Sequence, residues 1–229
     1  MSKSESMVLF DIDGTLVRGA GPHHKDSLIE GIRTVTGLST TLDDVPTAGM
    51  LDRDLIANML RRVGCSERRI RVALRQIMGE CQNCYLANCA VDLRTHVCVG
   101  VPEFLARLKA QGAALGLVTG NLSQIGWRKV ESAGLSAFFS VGAFAEDGRT
   151  RTRLAQVAAR RAMTQGMIGR NCRISLIGDH ANDVEAAKSN GFRAVAVATG
   201  VTSLEELRAA KPDILVPDLT HLDPGNLIW

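Results

Sequence analysis

The chain has 229 residues, enough for one sizeable core domain carrying a smaller insertion and too few for two equal large domains. Its 45% hydrophobic and 22% charged residues are those of a globular protein, and aromatic residues at 4% leave stacking a minor part of any recognition. A formal charge of +3, from 27 basic and 24 acidic residues with no basic block, gives no footprint for nucleic acid; no apolar segment of membrane-spanning or signal-peptide length stands out, so a soluble cytoplasmic protein is expected.

The first predicted strand, residues 7–10, is wholly apolar and belongs inside a sheet, yet it runs straight into Asp11-Ile12-Asp13-Gly14-Thr15. A strand end would hold Asp11 rigidly, while a turn at Gly14 leaves Asp13 on the loop. An apolar run closed by Asp and Gly is also an ordinary way for a strand to end. What gives the pair weight is that two later strands end in polar groups of the same kind.

From residue 25 to residue 90 the apolar spacing is helical: Leu28, Ile32 and Val35, then Leu55, Ile56, Met59, Leu60 and Val63, then Ile70, Val72, Leu74, Ile77 and Met78. Roughly 100 residues separate the first two strands, where a crossover needs about a dozen. The reading is an all-helical cap over residues 19–97, hinged near 17–21 and 94–100, on a core of residues 1–18 and 98–229. In the cap, Gly49 permits a tight loop within 47–53, and Arg53 is a candidate to meet an acidic substrate. Five of the six cysteines crowd residues 65–98, but Cys81-Gln-Asn-Cys84 has no second ligand pair, Cys89 and His96 included, so reduced structural thiols are expected. His23, His24, Tyr85, Trp127 and Trp229 read as packing or surface residues.

Beyond the cap, helical patterns over 101–111, 123–133, 153–164, 181–190 and 203–210 alternate with short strands at 115–118, 138–142, 174–177, 194–198 and 214–216. That alternation predicts a Rossmann-like α/β core, a parallel sheet with right-handed crossovers. The strand at 115–118 ends in Thr119-Gly120-Asn121, and that at 174–177 in Gly178-Asp179-His180-Ala181-Asn182-Asp183. Ligands of open α/β sheets sit at the carboxyl ends of the strands, so Asp11, Thr119 and Asp179 should converge. Residues 218–229 are expected to pack on the core.

An ionised carboxylate such as Asp11 is a nucleophile toward phosphorus without a base to activate it, and Asp13 is placed to act as general acid and then base. A dianionic phosphate approaches two carboxylates only if a cation offsets them, and Asp179 and Asp183 add hard oxygen ligands suited to Mg²⁺. Both also fit ordinary capping of a helix N-terminus. The Thr119 hydroxyl and the amides around Gly120 and Asn121 form a candidate phosphate cradle. From Arg149, Arg151 and Arg153 one guanidinium should turn inward, Arg151 by preference.

Together these residues resemble the haloacid dehalogenase-like hydrolase superfamily. Asp11-Ile-Asp13-Gly-Thr15 is similar to its first motif, Thr119 to the hydroxyl motif and Gly178-Asp179-His-Ala-Asn-Asp183 to the acidic motif. The resemblance spans nearly the whole chain and is nearest to phosphoglycolate phosphatase-like members with a helical cap. It implies Asp11 as nucleophile, Asp13 as acid/base, and Mg²⁺ held by the carboxylates of Asp11 and Asp179, the backbone carbonyl of Asp13 and Asp183. The basic motif, usually lysine, is best matched by Arg151, with Arg149 as the alternative; arginine can hold phosphate bidentately. His180 and Cys98 stand where such proteins often carry Thr or Ser and Pro. The implied substrate is a small phosphorylated metabolite, phosphoglycolate among the candidates, handled by a monomer or homodimer with neither nucleic acid nor membrane as partner. A second carboxylate at Asp13 disfavours dehalogenation, and Lys25, the lone lysine of the cap, lies too near the hinge for phosphonatase chemistry. Two rivals remain: a phosphomutase sharing every motif, and a phosphate-binding regulatory protein without turnover.

Overall fold

The computed structural model of the chain describes residues 3–43, 45, 47–89 and 92–227; Trp229 and the residue-90 end of the helical stretch lie outside them. Six parallel strands form one sheet: β1 (Ser4–Phe10), β2 (Ala114–Val118), β3 (Val141–Ala143), β4 (Ile168–Gly178), β5 (Arg193–Val197) and β6 (Ile214–Val216), in the order β3-β2-β1-β4-β5-β6. The helices are α1 (His23–Thr36), α2 (Asp52–Arg62), α3 (Glu67–Asn88), α4 (Val101–Ala110), α5 (Ser123–Ser132), α6 (Arg151–Thr164), α7 (Ala181–Ser189) and α8 (Leu204–Ala209).

β1 lies at the centre because its residues are apolar on both faces. Met7 and Leu9 join the apolar cluster with α6 and α7, whereas Val8 and Phe10 join the opposite cluster with α4. All four are fully buried. Each such side chain contributes about 1.5–3 kcal/mol through removal from water, so an isolated strand of this kind has no stable existence outside the sheet. α6 turns Ala155, Ala158, Ala159 and Ala162 inward, and these small side chains let the helix lie close against the strands.

The first three helices fill the long connection between β1 and β2. α1 and α3 pack against each other so closely that a Cβ on Gly31 would lie 2.5 Å from Cys81 Sγ. Their apolar residues, among them Leu28, Ile32, Ile56, Met59 and Ile77, belong to the same contiguous cluster as Met7 and Leu9. Where the insertion leaves and rejoins the sheet its two strands of chain run side by side: Val17 bridges Val97, Arg18 N donates to His96 O at 2.9 Å, and Cys98 N donates to Leu16 O at 2.9 Å. All six cysteines are free. No helix among the described residues is long and apolar enough to cross a membrane.

Three boundaries differ from the sequence reading. The expected strand at 138–142 begins only at Val141, because Ser136–Phe138 forms a 3-10 turn that sends Phe139 into the core. β4 starts six residues early, its polar first half extending past the sheet's buried centre. α6 begins at Arg151 rather than residue 153, since Thr150 caps it by accepting from Arg153 N. The C-terminal stretch packs on the α4 side of the core through buried Leu219, Leu222 and Leu227.

Candidate active site

The carboxyl ends of β1, β2 and β4 open into a cavity of about 710 Å³, bordered by Asp11, Asp13, Thr119, Asn121, Arg151 and Asp179. Residues of the helical insertion, among them His24, Leu28, Leu42 and Gly49, close its far side. The strand ends therefore converge as the polar terminations suggested.

Asp11, Asp179 and Asp183 are all buried, and one carboxylate oxygen from each lies within 4.8 Å of the others. A single guanidinium faces them: Arg151 Nη1 is 2.9 Å from Asp11 Oδ1 and 3.3 Å from Asp183 Oδ1. Three carboxyls against one fixed cation leave an excess of negative charge. Burial, with Asp11 next to it, pushes the Asp179 carboxyl up to about 7. Burial likewise raises Asp183 well above the ordinary carboxylate range, although Arg151 pulls the other way. Burial works against the charge on Arg151, but Asp11 and Asp183 keep the guanidinium protonated.

Asp11 Oδ1 and Asp183 Oδ1 are buried without an aligned hydrogen-bond donor. Buried carboxylate oxygens that face a guanidinium without an aligned hydrogen bond, in an all-oxygen donor set, fit a hard divalent cation such as Mg²⁺. The cradle is shaped by missing side chains: a Cβ on Gly14, whose φ is +83°, would fall 2.3 Å from Asp179 Oδ2, and one on Gly200 only 1.6 Å from it. Asp183 is also the capping partner the sequence allowed for, its Oδ2 accepting from His180 N at 3.2 Å while His180 Nδ1 accepts from Asn182 N. His180 thus serves where Ser or Thr usually caps.

The Asp13 carboxylate stands apart from this cluster. Lys129 Nζ, on α5, lies 2.7 Å from both of its oxygens and Asn121 Nδ2 lies 2.6 Å from Oδ2. Desolvation tends to raise this carboxyl, but Lys129, His24 and the Asn121 amide together outweigh it and bring it down to about 2. Asn121 also donates to Thr119 Oγ1 at 2.7 Å, which leaves the Thr119 hydroxyl proton uncommitted.

Several candidate residues require correction. Arg149 is exposed and does not border the cavity, so the inward arginine is Arg151. The amides of the α5 first turn do not wait for an anion: Leu122 N donates to Asp52 Oδ2 at 2.8 Å, Ser123 N to Glu146, and Gln124 N to Gln82 Oε1. Asn121 N faces Thr119 Oγ1 at 3.3 Å, so of the amides in this loop only that of Gly120 lacks a partner among the described residues. Arg53 is not in the cavity either; it donates to Gly148 O at 3.3 Å.

Sequence reasoning missed Lys129, His24 and Asp52. His24 bridges the other two, with Nδ1 3.0 Å from Lys129 Nζ and Nε2 2.9 Å from Asp52 Oδ2. One local signal existed: Lys129 follows Ile125 by one helical turn and precedes Ala133 by another, a lysine on the buried stripe of α5.

A family model described as haloacid dehalogenase-like hydrolase matches residues 6–191. The chain is 27% identical over 218 residues to a phosphoglycolate phosphatase of Synechococcus elongatus, covering 91% of each protein. It is 25% identical over 229 residues to a phosphoglycolate phosphatase of Nitrosococcus oceani, covering 97% of this chain and 96% of that one. Its structure superposes on a β-phosphoglucomutase from Clostridium difficile with a TM-score of 0.70 over 96% of this chain and 94% of the other, at 18% identity, a likeness of fold.

Proposed function

The chain belongs to the haloacid dehalogenase-like hydrolases, and on that premise we propose that it is a Mg²⁺-dependent phosphomonoester hydrolase working through a phosphorylated Asp11. The observation that carries the reading is the cluster of three buried carboxylates against one guanidinium at the end of the central strand. Such a charge imbalance is costly in a merely structural site and is what a phosphate bound through a metal requires.

In this reading the substrate phosphate enters between Asp11, the Thr119 hydroxyl, the free Gly120 amide and Arg151. Bound Mg²⁺, held by Asp11, Asp179 and Asp183 with the Asp13 carbonyl, supplies charge neutralisation for the phosphoryl group. An Asp11 oxygen attacks phosphorus in line with the departing alkoxide, and Asp13 gives that alkoxide a proton. The ionised Asp13 left behind then takes a proton from the water that attacks the acyl phosphate, which restores Asp11. As seated, Asp13 is in the ionised form needed for the second step. The first step needs it protonated, and the arrival of a dianionic ester shifts it that way, because nearby negative charge disfavours the ionised carboxylate.

Residues 19–97 act as a cap over this chemistry, excluding bulk water and contacting the leaving group through cavity-lining groups such as Lys25 and Thr47. The low-identity likeness to phosphoglycolate phosphatases supports a small phosphorylated metabolite, phosphoglycolate included. The test is phosphate release from a panel of phosphorylated metabolites, with Mg²⁺ or with chelator, by the native chain and by Asp11→Asn. Release that needs the metal and falls to background in the variant is the expected result. No release from any ester, or release only when a sugar bisphosphate is supplied as activator, would replace hydrolysis by binding or by phosphoryl transfer between sugars.

A further inference from the structure

Lys129 makes no use of its charge outside the protein. Its ammonium is only 2% exposed and is surrounded by Asp13 Oδ1 and Oδ2, Asn121 Oδ1 and His24 Nδ1 at 2.7 to 3.0 Å. An ammonium has three protons and no lone pair, so these acceptors use all it has to give. Nothing remains for a substrate phosphate, which is consistent with Lys129 lying outside the cavity lining.

The same rule fixes the neighbouring histidine. Because Lys129 can only donate, His24 Nδ1 accepts, and Nε2 carries the ring proton and donates to Asp52 Oδ2. That Asp52 oxygen also accepts from Leu122 N at 2.8 Å, and Asp52 N donates to Gly120 O at 2.8 Å. The chain of contacts runs from the insertion (Asp52 on α2, His24 on α1) to the core (Lys129 on α5) and ends on Asp13. Asp13 itself stands on a loop with 46% of its side chain exposed, so nothing in its own backbone holds the carboxylate in one place.

We propose that Lys129 is the positioning residue for Asp13, and that His24 and Asp52 complete its seat only when the helical insertion is docked. The inference rests on the phosphatase reading above and adds to it a physical link between docking of the insertion and placement of the acid/base. With the insertion away, Lys129 loses one of its partners and the Asp13 carboxylate loses part of its restraint. With the insertion seated, both oxygens of Asp13 are fixed before chemistry starts.

The experiment is a double-variant cycle with Lys129→Met, His24→Leu and the pair, read in two ways on the full chain. With the substrate found for the native protein, Lys129→Met should lower kcat by about 100-fold with KM changed little, the signature of a mispositioned acid/base. His24→Leu should lower kcat less, and should lower it no further once Lys129 is Met. A folded Lys129→Met protein with native kcat would overturn the proposal, as would independent, multiplicative effects of the two changes. A purely structural role would reduce thermal stability and leave kcat per folded molecule unchanged. The second readout is thermal unfolding without substrate: the two changes should lower Tm by less together than the sum of their separate effects, and additivity would overturn the link. Because that readout needs no turnover, a native chain that hydrolyses no ester defeats the proposed function and leaves the link to be decided by the unfolding cycle.

Discussion

Removing divalent metal should make this protein less stable as the pH rises, the reverse of what isolated salt-bridged carboxylates would do. Asp179 has an ordinary pKa of 3.8 and is pushed to about 7 by burial and by Asp11. Between those values the folded chain binds more protons than the unfolded one, so stability falls as pH rises through the window. At about 1.4 kcal/mol per tenfold, the shift taken alone corresponds to about 4 kcal/mol. Asp11 and Asp183 share the same few ångströms, so a fall of about 2 kcal/mol between pH 5 and pH 8 is the working figure, or about 4–8 °C in Tm at this chain length. Asp13 does not interfere: its stabilisation is complete above its ordinary pKa and is lost only as pH falls toward about 2. His180, lowered by burial, acts in the opposite sense below its ordinary value, and it is common to the native chain and the control. The assay is thermal unfolding from pH 5 to pH 8 in chelator and in millimolar Mg²⁺, for the native chain and for Asp179→Asn. Mg²⁺ should remove the fall by neutralising the cluster, adding about 2.7 kcal/mol at a hundredfold excess over its Kd. A flat profile in chelator, or an equal slope in Asp179→Asn, would refute the electrostatic account.

Other expectations follow from the same geometry. Asp11→Asn, inactive in phosphate release, should raise Tm in chelator, because it deletes one of three mutually repelling buried acids; a lower Tm would show that Asp11 is held mainly by Arg151. Arg151→Met leaves Asp11 and Asp183 without the guanidinium that faces them and should cost about 3–5 kcal/mol in chelator, measured by urea unfolding, with part of that recovered in Mg²⁺. Gly200→Ala places a Cβ on top of the buried Asp179 carboxylate, so the metal-free Tm should fall and the gain in Tm from Mg²⁺ should shrink as well, both read by thermal unfolding.

The parts legible in the sequence were those written locally. Asp11, Thr119 and Asp179 each follow an apolar run within two residues, and a parallel sheet brings such ends together whatever the rest of the chain does. Arg151 was harder to separate from Arg149, because the choice turns on Thr150 capping α6 and thereby rotating residue 151 inward. The Asp52–His24–Lys129–Asp13 contacts were not legible, since their partners come from α1, α2, α5 and the loop after β1, up to 116 residues apart in the chain. Nor was it legible that the amides next to Gly120 and Asn121 are already taken, since the anion at that helix N-terminus, the Asp52 carboxylate, is brought by a distant segment. Phe138 and Phe139 misled in the other direction, as aromatic residues favoured a strand where tertiary packing made a turn.

The central position of β1 has a consequence for how the protein is made. Its neighbours are β2, which begins at Ala114, and β4, which begins at Ile168. At about 5–20 residues per second, the ribosome delivers β4 roughly 8–30 s after β1 has emerged. During that interval Met7 to Phe10, apolar on both faces, has at most one edge partner, whereas α1 and α3 can pair as soon as residue 88 is made. A nascent or truncated chain ending before β4 leaves one edge of this hydrophobic strand open. Chaperone occupancy during synthesis should therefore fall only once residues 168–178 have left the exit tunnel, and the Asp11, Asp179 and Asp183 cluster is assembled only after Asp183 follows them.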